Sequence, residues 1–348
     1  MELNVRNVNE AFSRVFEELN TLDIEPTNTR NGPAIVFPDI VTTIYDRPDE
    51  RVLFHAGRDA NPIFHLMESI WMLAGRRDVA FLTQFNNRMS DFSDDGVTFN
   101  AAYGYRWRKH FGYDQLIQVI ENLKQDPNTR QAVIQIWDEQ DLYLKTKDKA
   151  CNTQVVFDTR GGALNMTVFN RSNDIWWGAY GANAVHFSFM QEFVASAVML
   201  PLGKYRQVSN NFHLYTELYD ATRYITTPPV RETYDLYTTG AVQPCRIMDN
   251  SDYLLFLEDC ENFCADPFTD RSYYHSFFHN VAQPMAMVSK VRRRKQGGGR
   301  EYAMAIAASD WSRAVLDWIE RRENKKLEKQ MTTCLPSRTD YDVNHNAN

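Results

Sequence analysis

Residues 149–174 hold two polar motifs on either side of a predicted strand hairpin. Residues 150–154 read ACNTQ and residues 170–174 read NRSND, and strands rich in Val, Thr and Phe are predicted at 153–159 and 163–171. The intervening Arg160-Gly161-Gly162 predicts a turn, so antiparallel pairing would place Cys151 beside Arg171. A nearby guanidinium favours the thiolate, which is the nucleophilic form of cysteine. The alternative is a small buried cysteine beside a salt-bridged arginine.

A second candidate is Glu68, which interrupts an apolar helical segment at 63–73. Phe64 and Trp71 lie about one helical turn from it on the same face. A carboxyl in such surroundings is poorly solvated, which suits proton transfer near neutral pH. A structural glutamate paired with an arginine fits this pattern equally well.

A series of motifs between about residues 8 and 225 resembles, in order, those of thymidylate synthases and the related pyrimidine-nucleotide hydroxymethylases. The motifs are Arg30-Asn31-Gly32, Glu68-Ser69-Ile70-Trp71, Tyr103-Gly104 with Trp107-Arg108, the run DPNTR at 126–130, Cys151, Arg171-Ser172-Asn173-Asp174, 178–183 and His213-Leu214-Tyr215. The resemblance implies an α+β, thymidylate-synthase-like fold, with a large mixed β-sheet and packed helices. Their shared order makes the likeness far more specific than any single motif.

The resemblance also implies a reaction on a pyrimidine deoxynucleotide monophosphate. The Cys151 thiolate adds to C6, and C5 then captures the one-carbon unit of the co-substrate 5,10-methylenetetrahydrofolate. Glu68 handles protons through ordered water, Tyr103 helps remove the C5 proton, and Arg171 stands by the thiolate. Asn152 follows the nucleophile at a position where synthases usually carry histidine, so it joins the catalytic candidates.

Binding roles follow from the same likeness. The residues implied in substrate binding are Arg30, Arg130, Arg171, Ser172, Asp174, Asn183, His213 and Tyr215, and those implied in folate binding are Trp71 and Asp174. The arginines and Ser172 suit a phosphate, and His213 and Tyr215 match the pair that binds the sugar 3′-hydroxyl. In relatives the arginine matching Arg130 comes from the other subunit, which implies a homodimer.

In uracil-specific relatives an amide reads the base, and in cytosine-specific ones an aspartate does, so the resemblance implies that Asn183 reads it here. An amide accepts from N3–H of uracil and donates to O4, whereas aspartate suits cytosine. The segment 178–183 is one residue longer than usual, and the ungapped match is Ala182. The amide of Asn183 makes uracil the expected base, and the longer segment leaves cytosine as the alternative.

The fate of the C5 methylene group depends on whether water reaches it. Synthases shield it with a tryptophan ahead of Tyr103 and with an apolar C-terminal tail. Here 86–102 contains no tryptophan, only Met89 and Phe92 near that place, and 342–348 is polar. These features favour hydroxymethylation of dUMP to 5-hydroxymethyl-dUMP, as in a virus-type pathway. Thymidylate synthesis and dCMP hydroxymethylation are the alternatives.

Composition agrees with an enzyme that acts on free nucleotides. A net charge of −7 argues against stable binding to nucleic acid. The N-terminus carries no signal peptide and no apolar run of about 18 residues occurs, so a cytoplasmic location without membrane contact is expected, in the host cytoplasm for a viral protein. The 5 scattered cysteines are typical of reduced thiols.

The predicted elements surround these motifs. Helices are predicted from Val8, at 61–75, at 113–125 and, as an apolar helix under the sheet, at 182–200, with strands at 34–45 and, buried, at 131–137. Further helical patterns occur at 252–264, 273–290 and 301–329. We expect a catalytic domain at 1–230, a helical C-terminal extension packed on it at 231–330, and a disordered tail at 331–348.

Two competing patterns lie in the C-terminal extension. Cys260-x₃-Cys264 and His275-x₃-His279 imitate a zinc site, but the gap between the pairs is short and no metal is expected. The basic run 290–295 would suit a nucleic-acid-binding or scaffolding protein that retains an inactive fold. The joint presence of Cys151, Glu68, Tyr103 and Arg171 argues against that alternative.

Overall fold

The computed structural model describes residues 1–218, 235–248 and 252–334. The strands are β1 Glu2–Val5, β2 Thr27–Thr29, β3 Gly32–Val36, β4 Val41–Tyr45, β5 Val133–Gln135, β6 Asn152–Asp158, β7 Leu164–Asn170, β8 Asn173–Asp174, β9 Leu202–Ser209 and β10 Phe212–Tyr215. The helices are α1 Val8–Leu19, α2 Pro62–Leu73, α3 Val79–Leu82, α4 Tyr103–Tyr105, α5 Gln115–Gln125, α6 Asn183–Ala197, α7 Tyr253–Ala265, α8 Gln283–Arg293, α9 Gly299–Met304 and α10 Ser309–Cys334. The predicted α+β class is confirmed.

Two sheets support the motifs. The larger is mixed and six-stranded, in the order β1-β4-β9-β7-β6-β5, and the smaller has the order β2-β3-β10-β8. β6 and β7 pair antiparallel, with Asn152 opposite Asn170, as the hairpin prediction requires. The turn between them needs glycine, because Gly161 and Gly162 have φ of 76° and 75°.

The predicted strand at 34–45 is wrong as a single element. β3 pairs with β10 in the small sheet, whereas β4 pairs with β1 and β9 in the large one. Pro38 lies between them and cannot donate a ladder hydrogen bond, so the chain changes sheet there. The predicted buried strand at 131–137 is also shorter than expected. β5 is an edge strand in which Val133 is exposed.

Helix α6 forms the centre of the core. All but one of its residues are buried, which explains its apolar character around the whole circumference. It packs on α2 and against β7 and β9 of the large sheet, as predicted. α2 begins where expected, because the side chain of Asn61 caps it and Pro62 occupies its first turn.

The C-terminal helices pack on the same body. α7 and α10 contact α2, and Asp59 forms ion pairs with Arg321, Arg322 and Lys325 of α10 at 3.0, 2.8 and 2.7 Å. The pattern at 301–329 divides into α9 and α10, and α8 begins only after a π-helical turn, Phe278–Ala282. Disorder was predicted for residues 331–348, but residues 331–334 belong to α10. The rest of that segment, from residue 335, lies outside the described residues.

Candidate active site

The hairpin brings the thiol and the guanidinium together. Cys151 immediately precedes β6, and its carbonyl accepts a hydrogen bond from the backbone N–H of Arg171 at 2.9 Å. The Arg171 side chain turns back over this loop, where Nη2 lies 3.8 Å from Sγ of Cys151 and Nε donates to the carbonyl of Ala150 at 2.8 Å. The nucleophile loop is thus held by the same cation that faces the thiol.

The local electrostatics of Cys151 combine opposing effects. Burial raises the pKa of its thiol above the ordinary value, and Asp148 adds to this increase. Arg171 and Arg30 lower the pKa, as expected from their charge, but burial outweighs them. The fraction of Cys151 present as thiolate therefore depends on the positive charges of Arg171 and Arg30.

Tyr103 approaches the same loop from the helical side. Its phenolic oxygen accepts a hydrogen bond from the backbone N–H of Cys151 at 3.3 Å, and burial raises its pKa, so the group is a neutral phenol. Glycine at 104 makes this approach possible. A Cβ there would lie 1.9 Å from the carbonyl oxygen of Met72, so any side chain would push α4 off α2.

Glu68 has a close neighbour that sequence analysis missed. The packing of α2 on α6 brings Nε2 of His186 to 3.2 Å from Oε2 of Glu68, and the imidazole is almost fully buried. His65 lies beside this pair, and burial keeps its pKa well below the usual value. In the sequence, the only sign that His186 belongs to the site is its position about one helical turn after the site candidate Asn183.

A cavity of about 650 Å³ opens in front of Cys151, which is a size that suits a nucleotide. The predicted site residues that line it are Arg30, Cys151, Arg171, Ser172, Asp174, His213 and Tyr215. His213 and Tyr215 lie on one face of β10 with their rings 5.2 Å apart, and Tyr215 accepts a hydrogen bond from Asn31 at 3.2 Å. The wall therefore combines cations, hydroxyls and aromatic rings.

Asp174 is the acidic member of the lining. One oxygen accepts a hydrogen bond from the backbone N–H of Trp177, at the start of the π-helical segment Ile175–Ala182. The other oxygen, Oδ2, is buried without a hydrogen-bond partner among the described residues. Burial raises the pKa of this carboxyl, against the opposing effects of the Trp177 hydrogen bond and His213.

Several predicted residues lie outside the cavity lining. Glu68, Tyr103 and Asn183 do not line it, and Arg130 is exposed in the loop before β5. The side chain of Asn152 points into the core and donates to Asn170, because alternate residues of β6 face opposite sides. Trp71 is 3% exposed and packs edge-on against Phe99. Within one chain, neither Asn152 nor Trp71 reaches the cavity.

The longer segment 178–183 is accommodated by π-helix. A π-helical turn contains more residues than an α-helical one, so Ile175–Ala182 absorbs the extra residue before α6 begins at Asn183. Asn183 is buried, and its amide donates to Oδ1 of Asn173 at 3.0 Å. The structure thus places Asn183, rather than Ala182, in hydrogen-bond contact with Asn173 of β8.

The pattern at Cys260, Cys264 and His275 does not form a ligand cluster. Both thiols are buried, and His275 pairs with Asp259 at 3.0 Å. Within the described ranges, no group of three or more His, Cys, Asp or Glu side chains could hold a metal ion. No helix in those ranges has the length and apolar character needed to cross a membrane.

The sequence is similar to known proteins of one family. The family model for thymidylate synthase matches residues 58–245. The deoxyuridylate hydroxymethyltransferase of Pseudomonas phage M6 is 43% identical over 338 residues, which cover 92% of this chain and 94% of that protein. The protein of the same name from Bacillus phage SP01 is 43% identical over 51% of this chain and 49% of its own length.

The fold likeness extends to a solved structure. The crystal structure of thymidylate synthase from T4 phage superimposes with a TM-score of 0.51 at 20% identity, covering 63% of this chain and 81% of that chain. The predicted family resemblance and fold are confirmed by these matches.

Proposed function

The chain belongs to the thymidylate synthase family, and from this we propose that it converts dUMP to 5-hydroxymethyl-dUMP with 5,10-methylenetetrahydrofolate as co-substrate. The observation that carries the proposal is the Cys151 thiol, which faces Arg171 at the wall of a nucleotide-sized cavity. The hydroxymethyl product is proposed because the phage M6 relative, similar over almost its whole length, bears that name.

The cavity offers places for the phosphate and the sugar of the nucleotide. Arg30, Arg171 and Ser172 bind the phosphate, since guanidinium groups make paired hydrogen bonds to its oxygens. His213 and Tyr215 bind the sugar hydroxyl. Their common face on β10 turns both side chains toward the same point.

Cys151 then performs the covalent step. Its thiolate adds to C6, so that C5 becomes a carbon nucleophile. The co-substrate supplies the one-carbon unit. Glu68 and His186 exchange protons with the base through water, and the neutral phenol of Tyr103 directs a water molecule toward the C5 proton.

The chain also carries groups that fit a folate. Oδ2 of Asp174 is a buried acceptor that no described residue pairs with, and it is complementary to the N–H groups of a pterin ring. Trp177 is 52% exposed beside it and could stack on an aromatic ring. Met89 and Phe92, which lie near the place expected for the shielding tryptophan, do not line the cavity, which agrees with entry of water.

We also propose a homodimer that shares its active sites. Along β4 and β9 every second residue is only half-buried, and these residues, including Ile44, Arg206 and Val208, share one face of the large sheet. A partly apolar sheet face suits a second copy of the chain. Arg130 is exposed near the edge of this sheet and would reach the phosphate of the partner.

The remaining proposals concern organisation and location. The catalytic domain comprises 1–230, and the extension 231–330 packs on it through ion pairs such as those of Asp59. The enzyme acts on free nucleotides in the cytoplasm of a phage-infected host, which agrees with the phage origin of the M6 and SP01 relatives.

Product analysis by mass spectrometry tests the function. Incubation with dUMP and methylenetetrahydrofolate should give 5-hydroxymethyl-dUMP without dihydrofolate. Cys151→Ala should abolish turnover and release of tritium from C5 but keep nucleotide binding. Thymidylate with stoichiometric dihydrofolate would identify a synthase instead, and a wild-type protein without tritium release would not be an enzyme of this class.

Complementation tests the shared site. Cys151→Ala and Arg130→Ala proteins should each be nearly inactive. After mixing, subunit exchange would create one site with both native residues, so activity should return. A monomer in sedimentation analysis, or no recovery after demonstrated exchange, would contradict the dimer proposal.

A further inference from the structure

An asparagine amide by itself does not choose between uracil and cytosine. Its oxygen accepts and its NH₂ group donates, and a 180° flip exchanges the two. Uracil presents N3–H as a donor and O4 as an acceptor, whereas cytosine presents N3 as an acceptor and an amino group as a donor. A site that uses Asn183 to select uracil therefore needs neighbours that prevent the flip.

A chain of buried amides, the amide relay, runs from Asn183 through Asn173 and Gln207 to the backbone carbonyl of Ala179. Nε2 of Gln207 donates to the carbonyl of Ala179 at 3.0 Å, and a carbonyl can only accept, so Oε1 of Gln207 must face the other way. This oxygen accepts from Nδ2 of Asn173 at 3.1 Å. Oδ1 of Asn173 consequently faces Asn183 and accepts from its Nδ2 at 3.0 Å.

Two further hydrogen bonds support this orientation of the Asn173 and Gln207 amides. Nδ2 of Asn173 also donates to Oγ of Ser209 at 3.0 Å, and Nε2 of Gln207 donates to the phenol of Tyr45 at 3.0 Å. Asn173 and Gln207 are 2% and 1% exposed, so bulk water does not reach these amides. A flipped Asn183 would set its oxygen against Oδ1 of Asn173, and buried acceptors without donors are costly.

We propose that Asn173 and Gln207 are positioning residues that make the site selective for uracil. By fixing the amide of Asn183, they leave its oxygen for N3–H and its second N–H for O4. This inference rests on the proposed function and on the predicted role of Asn183 as the residue that reads the base. Glycine at 178 belongs to the arrangement, because a Cβ there would lie 2.9 Å from Oδ1 of Asn173.

The test compares dUMP and dCMP in matched variants. Asn173→Leu removes the acceptor that holds Asn183, and Gln207→Leu releases Asn173. Asn173→Asp keeps an acceptor toward Asn183. The control is Asn165→Leu, since Asn165 is 6% exposed and equally hydrogen-bonded, to Asp158 and the backbone of Lys204, but has no contact with the relay.

Dissociation constants and kcat/KM are measured for both nucleotides in full-length proteins whose folding is checked by thermal melting. The preference for dUMP should fall by about tenfold or more in Asn173→Leu and also fall in Gln207→Leu. It should persist in Asn173→Asp and Asn165→Leu. A merely structural role would weaken the binding of dUMP and dCMP equally and leave the ratio of their kcat/KM values unchanged.

The outcomes separate this inference from the proposed function. An unchanged dUMP:dCMP ratio in folded Asn173→Leu and Gln207→Leu would overturn the relay while the enzyme remained a hydroxymethylase. A wild-type preference for dCMP would also overturn it. Wild-type protein that binds dUMP selectively without turnover, and loses the selectivity in Asn173→Leu, would support the relay and refute the function. Binding of neither nucleotide would refute both.

Discussion

Replacing Arg171 by glutamine should slow the reaction of the Cys151 thiol with an alkylating reagent. Glutamine can still donate to the carbonyl of Ala150, so the loop keeps one of its restraints, but the charge is lost. In the wild-type protein the cation lies 3.8 Å from Sγ and lowers the pKa of the thiol against the effect of burial. Its removal therefore decreases the thiolate fraction at neutral pH.

The distance sets the size of this effect. Two unit charges 3.8 Å apart interact by about 4 kcal/mol at an effective dielectric constant of ~20 and by about 1 kcal/mol in bulk water. Because Arg171 is exposed, solvent screening favours the lower part of this range, about 1–3 kcal/mol. The thiolate fraction, and with it the alkylation rate below the thiol pKa, should fall about 5- to 150-fold.

The assay is the rate of iodoacetamide alkylation of Cys151, followed by peptide mass spectrometry across a pH series. Arg160→Gln is the matched control, because Arg160 lies at the turn of the same hairpin and its side chain is 76% exposed. Arg171→Lys, which keeps the charge, should fall between wild type and Arg171→Gln. Alkylation of Arg171→Gln at the wild-type rate throughout the pH series would refute the electrostatic reasoning.

Three further predictions concern other groups. Glu68→Gln should reduce turnover by about two to four orders of magnitude with nucleotide binding retained, because an amide cannot move protons. Asp141→Asn leaves the charge of Arg106 unpaired in the core, so urea unfolding should show a loss of about 3–5 kcal/mol, against about 1 kcal/mol or less for the surface change Asp158→Asn. Burial raises the pKa of Asp310 from 3.8 to about 6, so its stabilising contribution is present below about pH 4 and is lost as the pH rises through about 6, by about 3 kcal/mol.

Each of these has a contrary result. A decrease of less than about fivefold in Glu68→Gln would return the residue to a structural role. Equal unfolding free energies for Asp141→Asn and Asp158→Asn would show that the buried pair makes no special contribution. For Asp310, the slope of unfolding free energy between about pH 4 and pH 6 should flatten in Asp310→Asn. An unchanged slope would assign it to other groups.

Local patterns were sufficient for the hairpin and for several helix ends. The hairpin is predictable because two glycines in a short turn, flanked by strands rich in β-branched residues, specify the turn and the antiparallel pairing, which brings Cys151 close to Arg171. The start of α2 is predictable because Asn61 and Pro62 act on the adjacent backbone. In each case the determining signals, which are the turn glycines and the capping residues, lie within a few residues of the backbone that they shape.

Contacts between distant segments decided the rest of the site. His186 meets Glu68 only because α2 packs on α6. The direction of the Asn183 amide depends, through Asn173, on Gln207 of β9. The charge of Arg171 was visible in the sequence, but the competing burial of Cys151 was not. Solvation and amide orientation are properties of the packed core, where every neighbour contributes to the energy, so only the tertiary structure specifies them.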